Sequence, residues 1–341
     1  MMGDGQEQTL RCALIGKLQR DTILPVSGPP AIDVLGGNLT YAAVGMHLWE
    51  EKAGLLAKIN ADFPQAWLKQ FENWGFDTQG IKVAPEGMDM RRFVAYSNPQ
   101  SPHYEAPITY FAERELAFPP KLLEYYSGGV KLCSKTQYDP WSIRISDIPA
   151  AYQEVSAVHI CPIDYISHAT LPTILRGEHV QTITMSPAPG YMDPVFWDEM
   201  PGLLSDLTAF MAGEDEVRQL FQGCSNDLWE IAKQLSDYGP EYVLIRLKDW
   251  GQYLYDGVSG RRRVVPSYPV QVVDPSGAAD AFAGGFLAVY SQTYDPLEAA
   301  LCGNIAASLV LEGCGPFFAL SAMSGLKEAR LAALRDMVSE V

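Results

Sequence analysis

The chain has 341 residues, of which 48% are hydrophobic and 19% are charged, and this balance excludes an intrinsically disordered protein. Its 25 lysine and arginine residues against 41 aspartate and glutamate residues give a formal net charge of −16, which disfavours general binding to nucleic acid or to an anionic membrane. No apolar run reaches the roughly 18 residues of a membrane helix, and residues 1–9 lack the apolar core of a signal peptide, so we expect a cytoplasmic protein.

Short apolar runs that end at turn residues predict buried strands. They cover residues 10–15, 53–59, 155–161, 182–185 and 242–247. Runs without polar alternation are typical of parallel strands that are covered on both faces. Helical patterns lie between and after them, at residues 40–49, 64–74, 214–221, 226–235, 278–290, 296–311 and 326–338. This alternation predicts an α/β fold with a doubly wound, mostly parallel sheet flanked by helices.

Two stretches interrupt the alternation. Residues 21–34 are strand-like but contain three prolines, and residues 90–112 alternate apolar and polar side chains at 92–96 and 108–112. Alternation of this kind predicts antiparallel strands with one open face. A small antiparallel sheet that projects from the main sheet accounts for both stretches. The pattern of residues 113–150 predicts no regular element.

The segment from residue 272 to residue 286 carries the strongest chemical signal. Apolar residues predict a strand that ends at Asp274, a Pro-Ser-Gly turn follows, and small residues predict a helix. The free N–H groups of Gly277, Ala278 and Ala279 at the helix start would form an anion site. Next to it, the helix dipole would lower the pKa of Asp280 and keep its carboxylate ionised. That pairing suits phosphoryl transfer to an alcohol, although an ordinary helix start with small residues for packing is the alternative interpretation.

Residues 274–282, Asp-Pro-Ser-Gly-Ala-Ala-Asp-Ala-Phe, resemble the C-terminal signature of the ribokinase-like (PfkB) carbohydrate kinases, D-T-x-G-A-G-D-x-F. Further segments resemble other family motifs in the family's order, at residues 15–21, 35–43, 58–62, 213–216 and 301–307. The sequence is therefore identified as a member of this family. The resemblance implies one ribokinase-like α/β domain over residues 1–341, with a β lid formed by about residues 17–36 and 90–115.

The resemblance also implies an activity, that of an ATP-dependent kinase. The acceptor would be a hydroxyl of a sugar, a nucleoside or a related small polyol. Asp280 would be the base, and the N–H groups of Gly277, Ala278 and Ala279 would hold the moving charge during in-line transfer. Mg²⁺ would neutralise the phosphates. Whether a monovalent cation also activates the enzyme stays open. The lid would exclude water from the reaction.

Other residues gain roles from the same resemblance. Asp21, Gly36 and Gly37 would hold the acceptor, and Glu216 would be linked to the metal. The nucleotide would contact Lys248, Gly251 and Asn304. Three plain alternatives stay open: Asp21 as a turn cap, Glu216 as part of a solvated helix start, and Asn304 as helix surface.

The sequence departs from the family pattern at several positions. Tyr41 and Gly213 replace asparagines, Ala279 replaces a glycine, and Arg246 and Lys248 replace a threonine and a glycine near the nucleotide phosphates. These changes favour a second hypothesis, a binding or regulatory protein that has lost turnover, whereas the intact Asp280 favours an enzyme. An unrelated dinucleotide-binding enzyme is disfavoured because no G-x-G-x-x-G follows the first strand.

Two further expectations concern charges and aromatic residues. Arg246 and Lys248 end a buried strand where phosphates would lie, so we expect at least one of them, Lys248 above all, to contact phosphate. The lid aromatics would either stack on a base or form the clasp of a homodimer; they are Phe93, Tyr96, Tyr110 and Phe111. The identity of the acceptor stays open at this point.

Overall fold

Strands and helices alternate along most of the chain in the computed structural model, which describes residues 10–85, 87–127, 129, 131–176, 179–248 and 251–341. The strands are β1 (Cys12–Ile15), β2 (Gln19–Leu24), β3 (Ala31–Gly36), β4 (Ala53–Ile59), β5 (Asp77–Val83), β6 (Arg91–Tyr96), β7 (Pro102–His103), β8 (Ala157–Ile160), β9 (Thr182–Met185), β10 (Ala209–Gly213), β11 (Tyr242–Arg246), β12 (Gln252–Asp256), β13 (Arg262–Val265) and β14 (Ser339–Glu340). The helices are α1 (Asn38–His47), α2 (Gln65–Asn73), α3 (Pro107–Glu113), α4 (Ala150–Gln153), α5 (Tyr165–Leu175), α6 (Met200–Leu204), α7 (Glu214–Leu220), α8 (Leu228–Asp237), α9 (Ala278–Thr293), α10 (Pro296–Leu311) and α11 (Leu326–Arg335). Every strand and helix predicted in the alternating pattern is present, with shifted ends.

The larger sheet has the strand order β14-β13-β12-β11-β10-β9-β8-β1-β4-β5 in the described part of the chain. Neighbours from β5 to β11 pair in parallel, and β12, β13 and β14 extend the sheet in antiparallel fashion. The predicted doubly wound, mostly parallel sheet is therefore confirmed. The chain continues from β1 to β4 on one side and later to β8 on the other. Such a reversal of strand order is where α/β sheets bind ligands, outside the carboxyl ends of the strands.

Apolar residues cover both faces of this sheet, which explains the continuous apolar runs in its strands. On β1, Ala13 and Ile15 belong to the core cluster on one face, and Cys12 and Leu14 belong to the cluster on the other. All four side chains are buried. A strand in this position needs apolar residues at every register position, because successive side chains point to opposite faces.

Helices α1 and α9 cross with their backbones in contact. A Cβ atom on Gly45 of α1 would lie 2.0 Å from the carbonyl oxygen of Ala281, and one on Gly284 of α9 would lie 1.9 Å from that of Ala42. Positions 45 and 284 therefore require glycine, since any larger residue would push the helices apart. The contact fixes the first turns of α1 and α9 relative to each other.

The predicted small sheet is present and has the order β3-β2-β6-β7. The pairs β2–β3 and β6–β7 are antiparallel, and β2 and β6 pair in parallel. One predicted strand is wrong, because residues 108–112 lie in helix α3. Pro107 stands at its first helical position, where the fixed φ of proline suits a helix and its missing N–H costs nothing.

The prediction of one open face on the small sheet is also wrong. Phe93 packs against Phe111 of α3 in one buried cluster, and Val94 and Tyr96 lie in a second buried cluster on the opposite side, against Cys314. Residues 93–96 are apolar without interruption, which is the pattern of a strand covered on both faces. Phe93 and Phe111 are therefore core residues of the small sheet.

Some elements leave no clear sequence signal. Helix α5 contains Pro172, which argues against a helix by pattern, and β12 and β13 lack a distinct apolar run. Strand β10 is a short apolar run, Ala209–Gly213, that the predicted strands leave out. The strand predicted up to Asp274 is wrong: this segment is irregular, and the N–H group of Val273 donates to the carbonyl oxygen of Leu311 at 2.7 Å. Before it enters α9, the chain therefore runs alongside the C-terminal end of α10 and outside the sheet.

Among the described residues, no helix is long and apolar enough to cross a membrane. Residues 1–9, on which the expectation about a signal peptide depends, lie outside the described residues.

Candidate active site

Two cavities adjoin at the carboxyl end of the parallel strands. The first, of about 300 Å³, is lined by residues that follow β8 and β9 and by the first turns of α1, α7 and α9. The second, of about 640 Å³, lies between α9, α10 and the segment 266–276. Arg92, Arg246, Gly277 and Ala279 line both. The N-terminus of α9 therefore stands at the junction of the two cavities.

Gly277 caps the N-terminus of α9 under two constraints. Its φ is +70°, a left-handed conformation that favours glycine. A Cβ atom at this position would also lie 2.0 Å from the ring of Tyr41. Within the described residues, the N–H groups of Gly277, Ala279 and Asp280 have no protein acceptor, and that of Ala278 donates to Pro275 at a long 3.4 Å. The donors expected for an anion site are therefore available.

A buried aspartate holds the turn before Gly277. Asp274 accepts the N–H group of Ser276 at 2.9 Å with one carboxylate oxygen and that of Gly315 at 3.0 Å with the other. The Ser276 hydroxyl also lies 3.1 Å from the Tyr96 hydroxyl of the small sheet. Asp274 is thus a structural clamp, and Tyr96 connects the small sheet to the helix start.

Asp280 lies in the first turn of α9 and lines the first cavity. Burial raises its pKa to about 6; Arg246 and Arg92 oppose this rise, while Glu216 and Asp21 add to it. The predicted lowering of this pKa is wrong, because loss of solvation outweighs the helix dipole. A carboxyl group with a pKa near 6 is ionised at neutral pH and is a stronger base than an ordinary aspartate.

Glu216 occupies the third position of α7 and lies half-buried against the start of that helix. Its Oε2 accepts the N–H group of Gly213 at 2.6 Å. Burial raises the pKa of this carboxyl, and Arg246 opposes the rise. Glu216 therefore caps the start of α7, as the plain alternative expects, and it also lines the first cavity, so its link to the metal stays a prediction.

The two basic residues at the end of β11 differ in position. Lys248 lies on the surface, lines the second cavity, and pairs with Asp215 at 2.7 Å. Arg246 lines both cavities and is the strongest opposing charge on Asp280 and Glu216. The structure therefore places Arg246, and not Lys248, at the junction.

Asp21 is fully buried and lines neither cavity. Its Oδ2 accepts the N–H group of Gly37 at 3.3 Å and a guanidinium N–H group of Arg92 at 3.1 Å. Its Oδ1 and the hydroxyl of Tyr41 have no hydrogen-bond partner within the described residues. Gly36 is also buried, with the Asp21 carboxyl 2.2 Å from where its Cβ would lie, so only Gly37 of the predicted acceptor residues lines the first cavity.

The predicted nucleotide residues lie together along the second cavity. Gly251 has a φ of +81°, and its Cβ would lie 2.1 Å from the carbonyl oxygen of Val265. Asn304 is buried, so the alternative of helix surface is wrong. Its amide accepts from Gln252 at 2.8 Å and donates to the carbonyl oxygen of Pro266 at 3.0 Å. Asn304 therefore shapes the wall of the cavity through its neighbours.

Two of the four small-sheet aromatics, Phe93 and Phe111, can neither stack on a base nor form a dimer clasp, because both are core residues. Phe93 and Phe111 are buried, and Tyr110 stacks on His103 with ring centroids 5.0 Å apart. Only Tyr96 lines a cavity. Arg92 lines both cavities but carries no sequence signal of its own, because its place there depends on the pairing of β6 with β2.

The chain is similar to known proteins in sequence and in fold. A family model described as pfkB family carbohydrate kinase matches residues 149–321. The cytidine kinase of Thermococcus kodakarensis is 27% identical over 291 residues, which are 85% of this chain and 91% of that protein.

Solved structures with the same fold include a proposed ribokinase II of Escherichia coli in complex with ATP and Mg²⁺. It has a TM-score of 0.69 and 17% identity, over 95% of this chain and 99% of that one. The nucleoside kinase of Methanocaldococcus jannaschii has a TM-score of 0.64 and 15% identity, over 95% and 99% of the two chains. At these identities the structures demonstrate the ribokinase-like fold.

Proposed function

Because the chain belongs to the pfkB family of carbohydrate kinases and is a phosphotransferase with an alcohol acceptor, we propose that it phosphorylates a nucleoside or sugar hydroxyl with ATP. One observation carries this proposal: the Asp280 carboxyl and the open N–H groups of α9 meet at the junction of two cavities. The second cavity takes the nucleotide and the first takes the acceptor. Phosphoryl transfer needs this placement, since the reacting oxygen and phosphorus must approach in line.

Each part of the helix start has a separate task. Asp280 accepts the proton of the acceptor hydroxyl while the new bond between its oxygen and the terminal phosphorus forms. The bond from that phosphorus to the ADP oxygen breaks, and ADP leaves with the bonding electrons. The N–H groups of Gly277, Ala278 and Ala279 face the charge that builds up during transfer. Backbone donors held by a helix cost no reorganisation when that charge appears.

The second cavity suits a nucleotide. Gly251 lets its turn pack closely against the backbone of Val265 in the cavity wall, and Lys248 at the rim attracts phosphate. The buried Asn304 orients Gln252, which also lines the cavity. Phe282 and Leu311 add apolar surface on which a base can pack.

For the acceptor, we favour a nucleoside. The cytidine kinase relative supports this choice. The first cavity also presents Gln19 and Ser186, whose side chains have no hydrogen-bond partner within the described residues. The side-chain amide of Gln19 offers an NH₂ group as donor and a carbonyl oxygen as acceptor, which together match the edge of a pyrimidine. Pro187 and Met211 supply apolar contacts for its face.

Arg92 is the side chain through which Asp21 affects the acceptor. Asp21 would reach a substrate hydroxyl directly only if Tyr41 or Arg92 moved, because its carboxylate is covered. Its hydrogen bond fixes the Arg92 guanidinium toward the first cavity, where Arg92 can bind acceptor oxygens. Asp21 is thus proposed as a positioning residue for Arg92.

The described residues fit Mg²⁺ only as an ion carried by the nucleotide. They contain no group of three or more His, Cys, Asp or Glu side chains that would cage a metal. Glu216 and Asp280 line the cavity, and Mg²⁺ in kinases is bound by one or two carboxylates, water and phosphates. When bound, the ion would neutralise phosphate charge, and Glu216 would help to hold it.

The small sheet is proposed to act as the lid. Arg92 and Tyr96 of β6 line the cavities, so the sheet forms part of their wall. Its movement toward the helix start would exclude water and direct the phosphoryl group to the acceptor. Pairing of two copies through this sheet would have to use its edges, β3 and β7, because both faces are buried.

A substrate screen tests the proposed function. Release of ADP is measured over a panel of nucleosides and sugars with ATP and Mg²⁺, together with the shift in melting temperature that each compound causes. We expect turnover with nucleosides above sugars. Turnover with sugars alone would remove the nucleoside assignment, and melting shifts without any turnover would favour a binding protein.

We expect kcat/KM to fall as the pH decreases through about 6. Asp280 must be ionised to accept a proton, and its pKa is raised to about 6. Glu216 and Asp21 also carry raised pKa values, while arginines stay charged over this pH range. The fall of kcat/KM at low pH therefore reports the protonation of Asp280, Glu216 and Asp21 together. The check is a pH profile from about 4.5 to 8.5 with corrections for protein unfolding. A flat profile between about 5 and 8 would contradict an Asp280 base.

Ala279→Gly is expected to change kcat by less than about threefold. Ala279 lies inside the first turn of α9 and is absent from the positions with positive φ, so alanine is unstrained there. Glycine in a helix lowers the free energy of unfolding by about 0.5–1 kcal/mol. Kinetics and thermal melting of the variant check both expectations. A tenfold gain in kcat would mean that the natural methyl group obstructs the anion site.

A further inference from the structure

Two departures from the family pattern are in direct contact. Gly213 ends β10 and Arg246 ends β11, and the two residues are register partners in the parallel pair. A Cβ atom on Gly213 would lie 2.9 Å from Nη2 of Arg246 and 3.2 Å from Oε2 of Glu216. The guanidinium therefore occupies space that any side chain at position 213 would take.

The Arg246 side chain has no hydrogen-bonding or ion-pair partner among the described residues of the protein. In the part of the chain that the structure describes, its side chain makes no hydrogen bond and no ion pair, even though the Glu216 carboxyl borders the same glycine. Its side chain is exposed, and it lines both cavities. Lys248, two residues further on, instead pairs with Asp215.

The position of this guanidinium favours a phosphate as its ligand. It lines the junction together with Gly277 and Ala279, whose N–H groups are also open. A guanidinium carries several donors in a rigid fork that matches phosphate oxygens, and it stays charged at every relevant pH. The surrounding carboxyls, Glu216 and Asp280, would otherwise repel an anion from this place.

Resting on the proposed function, we propose that Arg246 binds the terminal phosphate of ATP and that Gly213 is glycine so that the guanidinium can reach it. Arg246 thereby supplies part of the positive charge that a bound cation otherwise provides to the phosphates. ATP should therefore bind measurably even without a divalent cation. ADP, which lacks the terminal phosphate, should depend much less on Arg246.

The test is calorimetric binding of ATP and of ADP, each in EDTA and in Mg²⁺, for the parent and for Arg246→Thr. We expect the variant to lose about 10–100-fold in ATP affinity in EDTA, the range for hydrogen bonds to a charged group. The loss should be smaller in Mg²⁺, and ADP affinity should change less than about threefold. Equal losses for ATP and ADP, or no loss, would overturn the proposal.

Two further variants control the result. Arg218→Thr removes an exposed arginine from α7 that pairs with Glu214 and lines neither cavity, so it should leave ATP affinity unchanged. Gly213→Ala should lower ATP affinity by less than Arg246→Thr, because the guanidinium is the end of a flexible side chain and can shift away from the new methyl group. Adding it to Arg246→Thr should cost little more, because both act on one contact. Additive losses would mean that Gly213 does not serve Arg246. Melting curves confirm that each variant is folded.

Binding and turnover separate this inference from the proposed function. An Arg246-dependent ATP affinity without turnover of any acceptor would leave the inference intact and remove the kinase assignment. Normal turnover, together with an ATP affinity that does not change in Arg246→Thr, would support the kinase assignment and overturn the inference. A parent protein that binds no ATP in either buffer would overturn both.

Discussion

Replacing Asp280 with asparagine is expected to lower kcat by about 10²–10⁴-fold while nucleotide and acceptor affinities stay within a few-fold. The amide has nearly the same shape but cannot accept the hydroxyl proton. Steady-state kinetics with the substrate found in the screen measure this loss. A kcat equal to that of the parent would remove Asp280 from the mechanism.

The same variant should be more stable than the parent at high pH. The pKa of Asp280 is raised by folding, to about 6 from an ordinary value near 3.8, so the folded state binds this proton more tightly than the unfolded state. Stability is therefore lost as the pH rises through this interval, and an uncharged asparagine avoids the loss. Melting temperatures at about pH 8 should favour Asp280→Asn more than those at about pH 4.

Asp237→Asn is a suitable control for both measurements. Asp237 ends α8, is exposed, and pairs with Lys233 on the same helix. It borders neither cavity, so kcat should not change. A loss of activity in this control would indicate a general effect of removing an acidic group.

Gly277→Ala should have the second large effect, on stability and on rate together. A Cβ atom would meet the Tyr41 ring at 2.0 Å, and the φ of +70° strains any other residue. Strain and overpacking together should lower the free energy of unfolding by about 2–4 kcal/mol. A shifted helix start would also misdirect the open N–H groups, and loss of one such donor costs about 10²–10³-fold in kcat. Urea denaturation and kinetics measure the two effects.

Gly260→Ala separates strain from crowding. Gly260 has nearly the same φ, +71°, but a Cβ there would meet nothing within 4 Å. It should lose only the strain part, about 1–2 kcal/mol, and keep full activity. If Gly277→Ala were no worse than this control, the contact with Tyr41 would carry no weight.

The sequence predicts the larger sheet well because its strands carry a local signal. Both faces of β1 are buried, so the run itself identifies the strand. The strand predicted at residues 108–112 is wrong because apolar residues there do not report burial on a strand. They lie on a helix, where Ile108 is 67% exposed, and their alternation with polar residues is a coincidence. Proline at position 107 is the local signal that corrects this assignment.

The candidate site is only partly predictable for a related reason. The glycine turn and Asp280 lie in one short segment, so their association is local. Burial of Asp21 behind Arg92 and the raised pKa of Asp280 depend on residues far apart in sequence. The placement of Arg246 over Gly213 depends on strand register, which no single segment encodes.

The crossing of α1 and α9 acts as a fixed spacer within the catalytic machinery. One helix begins beside the acceptor cavity and the other carries the base, and Gly45 and Gly284 set the distance between them by backbone contact. The two helices therefore cannot move closer to each other without a clash between their backbones. Under the proposed function, this fixed distance would limit the length of the acceptors that can reach Asp280, before any polar group binds them. A bulkier residue at position 45 would push the two helices apart and so change this distance, although position 45 lines neither cavity.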